Sequence, residues 1–207
     1  MSQQLPLSED GTLSGHSERL NLTGQILIAM PAMQDPYFSK SVILICSHDD
    51  DGAMGMILNH PLQLNVGDLF EQLDMACDAP HQQDRLVHFG GPVQVERGFV
   101  LHTPATEFNT TLGLSEGLAM TSSKDILEAA ARDEAPQDMF IALGYTGWSS
   151  GQLEDEIQAN AWLTLPLEDR EHLHKLIFTL PNDDKVLWAM QQLGVDYANL
   201  SEVAGHA

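Results

Sequence analysis

The sequence predicts an α+β or irregular α/β fold, on three observations. Apolar runs of four to six residues recur along the chain and read as strands covered on both faces. One pair of these runs is joined by Asp51-Gly52, a hairpin turn. Helices fall between the strands in mixed order, without the steady strand–helix alternation of a doubly wound nucleotide fold.

Residues 1–20 are polar and aperiodic and read as a mobile leader, with one domain over 21–207. Gln25 to Met30 is a buried strand stopped by Pro31, and Asp35-Pro36 marks a turn. Val42 to Cys46 and Ala53 to Leu58 are the arms of a hairpin over residues 41–59. Asn65 caps a helix to about Met75, with Leu69, Phe70 and Leu73 inward, and Cys77 to Asp84 is a polar loop. Leu86 to Phe89 and Gly98 to His102 are strands joined through Gly90-Gly91-Pro92-Val93, and residues 104–117 read as loop. A short strand at Leu118 to Met120 precedes a helix capped at Ser122, with Ile126, Leu127, Ala130 and Ala131 inward.

Ala142 to Ile157 is the stretch around which the chain is organised. Met139 to Leu143 is a central strand, and Gly144 and Gly147 permit a tight turn after it. Ser149 and Gln152 have capping-box spacing at the start of a helix that carries Leu153, Ile157 and Ala161 on one face. Trp162 to Leu165 is a further strand, and Leu167 to Lys175 fits no single element. Asn182 caps a last helix with Val186, Leu187, Met190 and Leu193 as its stripe and Gly194 as its stop.

Composition excludes several function classes. Nine Lys plus Arg against thirty Asp plus Glu leave a net charge of -21. Phosphate polymers are repelled by such a surface, so direct nucleic-acid binding is disfavoured, as is binding to anionic membranes. With a mean hydropathy of -0.14, no apolar run approaches the ~20 residues needed to span a bilayer. Neither a secretory pattern nor a disulfide framework is visible, since the two cysteines, Cys46 and Cys77, have no metal-site or pairing spacing; the expected compartment is the cytoplasm.

Several motifs occur in order: Ala29-Met30-Pro31 with Asp35-Pro36-Tyr37-Phe38, Gly52-Ala53-Met54-Gly55, Asn59-His60-Pro61, Gly90-Gly91-Pro92-Val93 and Gly98-Phe99-Val100-Leu101-His102. Ala142-Leu143-Gly144-Tyr145 with Trp148, Gly151-Gln152-Leu153-Glu154 with Glu156, and Gly205-His206-Ala207 follow. From Leu22 onward the chain thereby resembles the AlgH/YqgE family of bacterial proteins. The resemblance implies a bifurcated mixed sheet, part of it curled into a small barrel, with helices around it. It implies an association with transcriptional control but carries no catalytic residues over. The leader, the insertion-like 167–175 segment and the Ser149-Ser150 pair depart from the family pattern.

Gly147-Trp148-Ser149-Ser150-Gly151 fits the G-x-S-x-G elbow, with Asp169 or Glu171 and His172, His174 or His206 downstream in triad order. Ser149 is nevertheless better explained as a helix cap than as a nucleophile. An anion at the same turn is opposed by Glu154, Asp155 and Glu156. His48 with Asp49, Asp50 and Asp51 lacks the spacing of a calcium loop and reads as a solvated hairpin tip. No metal site and no cofactor are predicted. Asn59, His60, Gly90, Gly91, Pro92, His102, Tyr145 and Trp148 fall at strand ends and turns and are the candidate ligand or partner surface. The expected function is a non-catalytic regulatory or protein-interaction domain, the partner being a protein; the alternative is a small-ligand binder or hydrolase-like enzyme using the Gly90–Val93 and Gly144–Gly151 turns.

Overall fold

The computed structural model describes residues 21–167 and 169–195; the leader expected over 1–20, and His206 with its motif, lie outside them. The strands are β1 (Ile26–Ala29), β2 (Val42–Asp49), β3 (Gly52–Ile57), β4 (Pro61–Asn65), β5 (Leu86–Phe89), β6 (Val93–Thr103), β7 (Thr111–Gly113), β8 (Ala119–Thr121), β9 (Asp138–Ser149) and β10 (Trp162–Leu165). They form one sheet in the order β10-β1-β2-β3-β9-β6-β8-β7, with β5 also on β9 and β4 on β5. Every pairing is antiparallel except β5 with β9. The sheet curls into a half-barrel, and the fold is the α+β class expected.

The sheet forks at β9. Gly52 to Gly55 of β3 pair with Ser149 to Thr146, whereas Val87 to Phe89 of β5 pair with Ile141 to Leu143, so β3 and β5 divide one edge of β9 while β6 runs along the other. Gly90 sits in the crotch: its N–H donates to the Leu143 carbonyl, and its own carbonyl accepts from Ile57 N–H. Gly144, at φ +72, is the bend between the two halves of β9. Side chains at Gly90, Gly91 or Gly144 would collide with the backbone of the opposing segment, so only glycine lets the two cross this closely.

Burial on both faces explains the apolar runs of β1 and β2. Ile26, Ile28, Val42 and Leu44 join one core with the last two helices, and Leu27, Ala29, Ile43 and Ile45 join another with Trp148, Leu153 and Trp162. Each buried Val, Leu or Ile among them contributes roughly 1.5–3 kcal/mol. A third core packs α1 (Val66–Gln72) and α3 (Asp125–Ala131) on β5, β6 and β9 through Phe70, Val87, Val100 and Ile141. The remaining helices are α2 (Pro80–Gln83), α4 (Gln152–Gln158), α5 (Arg170–His174) and α6 (Lys185–Gln192).

Several elements differ from the sequence reading. The glycine-rich turn is strand, because β9 runs through Gly144 and Gly147 to Ser149 on successive pairing with β5 and then β3. Only half of the predicted capping box forms: Gln152 Oε1 accepts from Ser149 N–H at 3.0 Å, while Gly151 is the cap residue and the Ser149 hydroxyl caps nothing. β4 lies where no element was read and α2 where a loop was read, since Pro61 and Pro80 open short elements as readily as they end them. Ser122 binds Arg97 instead of capping α3. Leu167 to Lys175 contains α5, capped by Asp169. In α6 a 3₁₀ turn at Asn182–Asp184 shifts the helix start, so Lys185, Ala189 and Met190 face inward and Leu187 is 53% exposed. Leu73 is 37% exposed, as it ends α1.

Candidate functional site

Where β3 gives way to β4, the chain turns through Asn59 and His60. Asn59 Oδ1 accepts from Val42 N–H at 2.9 Å and its Nδ2 donates to the Lys40 carbonyl at 2.8 Å, clipping the two connections together. The His60 carbonyl accepts from Phe89 N–H, anchoring it to β5. Burial lowers the His60 pKa, so its ring is neutral near pH 7. Asn59 and His60 form one wall of a cleft of about 530 Å³, with Ser39 and Lys40 beside them and Asn182, Asp183, Val186 and Leu187 opposite. Tyr37 stacks on Phe89 at 5.8 Å and, like Leu187, is about half exposed.

Beneath Asn182 the polar groups become buried. His88 Nε2 donates to Asn182 Oδ1 at 3.3 Å and its ring stacks on Phe140 at 4.2 Å. Lys185, 1% exposed, donates to the carbonyls of Leu58 at 2.8 Å and Ile177 at 3.1 Å, and its ammonium lies 5.2 Å from the centre of the Phe140 ring. Burial pushes Lys185 down to about 8. His88 is pushed down to about 4, first by burial and then by the Lys185 charge.

The other candidates serve the fold. His102 is fully buried, its Nδ1 donating to the Pro104 carbonyl and its Nε2 accepting from Thr121 Oγ1 at 2.9 Å. Trp148 is 6% exposed and its indole donates to Glu156 at 2.9 Å. Tyr145 is half buried and edge-on to Phe99. Gly90 and Gly91 face β9 backbone, and Pro92 is exposed. His48 is buried, accepting from Leu22 N–H on Nδ1 and donating to Glu154 from Nε2.

Ser149 ends β9, while His174 is bonded to Asp138 at its start. Eleven strand steps of ~3.3 Å put the two roughly 30 Å apart even allowing for the bend. His172 is held by Asp169 on the same helix as His174. Among the described residues, the triad order of the sequence is therefore not a spatial constellation. Among the described residues, no three His, Cys, Asp or Glu side chains gather as a metal site.

The sequence profile of the AlgH-like family, DUF179, matches residues 26–198. The chain belongs to this family. A UPF0301 protein of Azoarcus sp. (strain BH72) is 48% identical over 187 residues, covering 90% of this chain and 97% of that one. A UPF0301 protein of Dechloromonas aromatica (strain RCB) is 42% identical, covering 92% and 100%. The solution structure of the AlgH protein from Pseudomonas aeruginosa matches at 39% identity with a TM-score of 0.73, covering both chains fully. A crystal structure of a protein from Corynebacterium diphtheriae shares the fold at 22% identity and a TM-score of 0.64, covering 87% and 91%.

Within this AlgH-like chain, the sequence reading named Asn59 and His60, which line the cleft, but not Lys40 and Asn182 beside them, nor Arg85 and Lys185 in the adjoining cavity. The available sign was Lys185 itself, a lone cation directly beside the apolar stripe of α6.

The buried His88 has a measurable consequence. Between its ordinary value of 6.5 and about 4, the unfolded chain takes a proton that the folded chain refuses. Stability therefore falls as pH drops through that window, by on the order of 3 kcal/mol from this group. His102, also lowered by burial, acts in the same direction. His88→Phe should reduce the difference in unfolding free energy between about pH 7 and about pH 4.5. Parallel losses in wild type and variant would contradict this.

Proposed function

We propose that the chain is a non-catalytic regulatory protein that acts by binding a partner protein, with the cleft between the Asn59-His60 turn and α6 as its recognition surface. The observation that carries this reading is the grouping of exposed large apolar side chains there. Leu187 lines the cleft, Tyr37 lies against Phe89 beside it, and Leu86 lines the cavity that adjoins it. Exposed apolar residues clustered on an otherwise charged protein mark interaction sites. The same reading makes any influence on transcription indirect, because a net charge of -21 opposes contact with DNA. The compartment proposed is the cytoplasm, supported by two cysteines that remain free thiols. Among the described residues, no helix is long and apolar enough to cross a membrane.

Photo-crosslinking in cells tests the reading. A crosslinker at position 187 should trap one protein that a crosslinker at exposed Leu112, on β7, does not. Leu187→Asp should weaken that purified complex at least about tenfold, ~1.4 kcal/mol, while leaving the fold intact. Equal trapping at both positions, or at neither, would overturn the assignment.

A further inference from the structure

A second cavity, of about 210 Å³, adjoins the cleft through Asn182. It has room for roughly seven waters. Its walls are apolar, from Phe140, Ile141, Ile177, Phe178 and Leu180, and its polar groups are Arg85, His88, Asn182 and Lys185. Among the described residues, no carboxylate lines it, although the chain has thirty acids against nine Lys plus Arg. Two of those nine cations meet here.

Neither cation is saturated. Lys185 spends two of its three donors on backbone carbonyls, and no carboxylate of the described residues reaches it. Arg85 spends two of its five on the Met139 and Gln137 carbonyls, at 3.1 and 2.6 Å. Asp138 bears on Arg85 electrostatically but is engaged by His174 at 3.0 Å. A buried cation without a counter-ion is costly, and an anion in the cavity would relieve that cost. With a value of about 8, Lys185 is still largely protonated at neutral pH, whereas His88 is neutral and supplies hydrogen bonding only.

We infer that this cavity binds a small monocarboxylate with a compact apolar body, the carboxylate received by Lys185 and Arg85 and the body by Phe140, Ile177 and Phe178. A phosphate dianion has no apolar body for these walls, and a neutral molecule would leave Lys185 without a counter-ion. This goes beyond the partner reading and stands separately from it, because the occupant is a small acid in a different cavity.

Thermal melts of the whole chain with 3-methylbutanoate and benzoate test the inference, with the matching amides and inorganic phosphate as comparisons. At ~100-fold excess over Kd, an acid that binds should raise Tm by roughly 5–10 °C, and the amides and phosphate should not. Lys185→Met should abolish the acid response. Arg85→Gln, at a half-exposed position, should weaken it at least about tenfold in Kd and keeps the test open if the lysine variant does not fold. Absence of a wild-type response to either acid, an equal response to the amides or phosphate, or an undiminished response in Arg85→Gln would overturn the assignment.

Discussion

Gly144→Ala is expected to leave the forked sheet unable to close, with a stability loss of at least ~4 kcal/mol. Part of that is the left-handed backbone at φ +72, which costs a residue with a Cβ about 1–2 kcal/mol. The larger part is steric. The new Cβ would overlap the Gly91 carbonyl oxygen and lie 3.0 Å from that of Val93. Val93 is held against Tyr145 by strand pairing, and Gly91 follows Gly90, which is hydrogen-bonded to Leu143 and Ile57, so neither oxygen yields without opening the fork. Gly91→Ala meets the Tyr145 backbone from the other side and should behave alike. Gly151→Ala separates the two contributions, since Gly151 has φ +77 but open space around it; its loss should be near ~1 kcal/mol. Urea denaturation of the three variants is the measurement, and similar losses at Gly144 and Gly151 would show that the crossing is slack.

Trp148→Ala should cost about 3–5 kcal/mol, a large share of a typical domain's stability. Trp148 packs edge-on against Trp162 at 6.1 Å, and both indole N–H groups donate to the same Glu156 oxygen, at 2.9 and 2.8 Å. The other Glu156 oxygen accepts from Gln152 Nε2 at 2.9 Å. One carboxylate thus ties the end of β9 to α4 and β10. Glu156→Leu leaves two buried donors unmade and should cost ~2–4 kcal/mol, whereas Glu156→Gln keeps an acceptor and should cost ~1 kcal/mol. Denaturation followed by tryptophan fluorescence reads both, and a neutral Glu156→Leu would remove the clamp from the account. The same geometry makes Trp148→Ala unsuitable for mapping a partner surface, since it disturbs the core.

Much of this was legible in the chain. The apolar runs of β1, β2 and β10, the Asp51-Gly52 hairpin and the Asn65 cap depend on local chemistry, and the structure places them within a residue or two, except that β2 continues three residues past Cys46 to Asp49. Ser149 misled because its neighbours satisfy two local patterns, a capping box and a nucleophile elbow. Strand pairing with Gly52 decided its place instead. The glycines of β9 misled for the same reason. Their spacing resembles a turn, but both lie within the strand, and Gly144 serves a close backbone crossing contributed by residues some fifty positions away, around Gly90.

By itself, the sequence determined the family, through its ordered motifs, and the fold class and buried strand runs, because periodicity, caps and turns act over a few residues. Only tertiary structure decided where chemistry can occur. His102, Trp148 and Ser149 stand at conspicuous positions in the chain but serve the fold, while Lys185, a single cation in an ordinary helix, is brought to Phe140, His88 and Arg85 from a distant part of the chain. Long-range packing sets the burial of a charge, and burial gives that charge its energetic meaning.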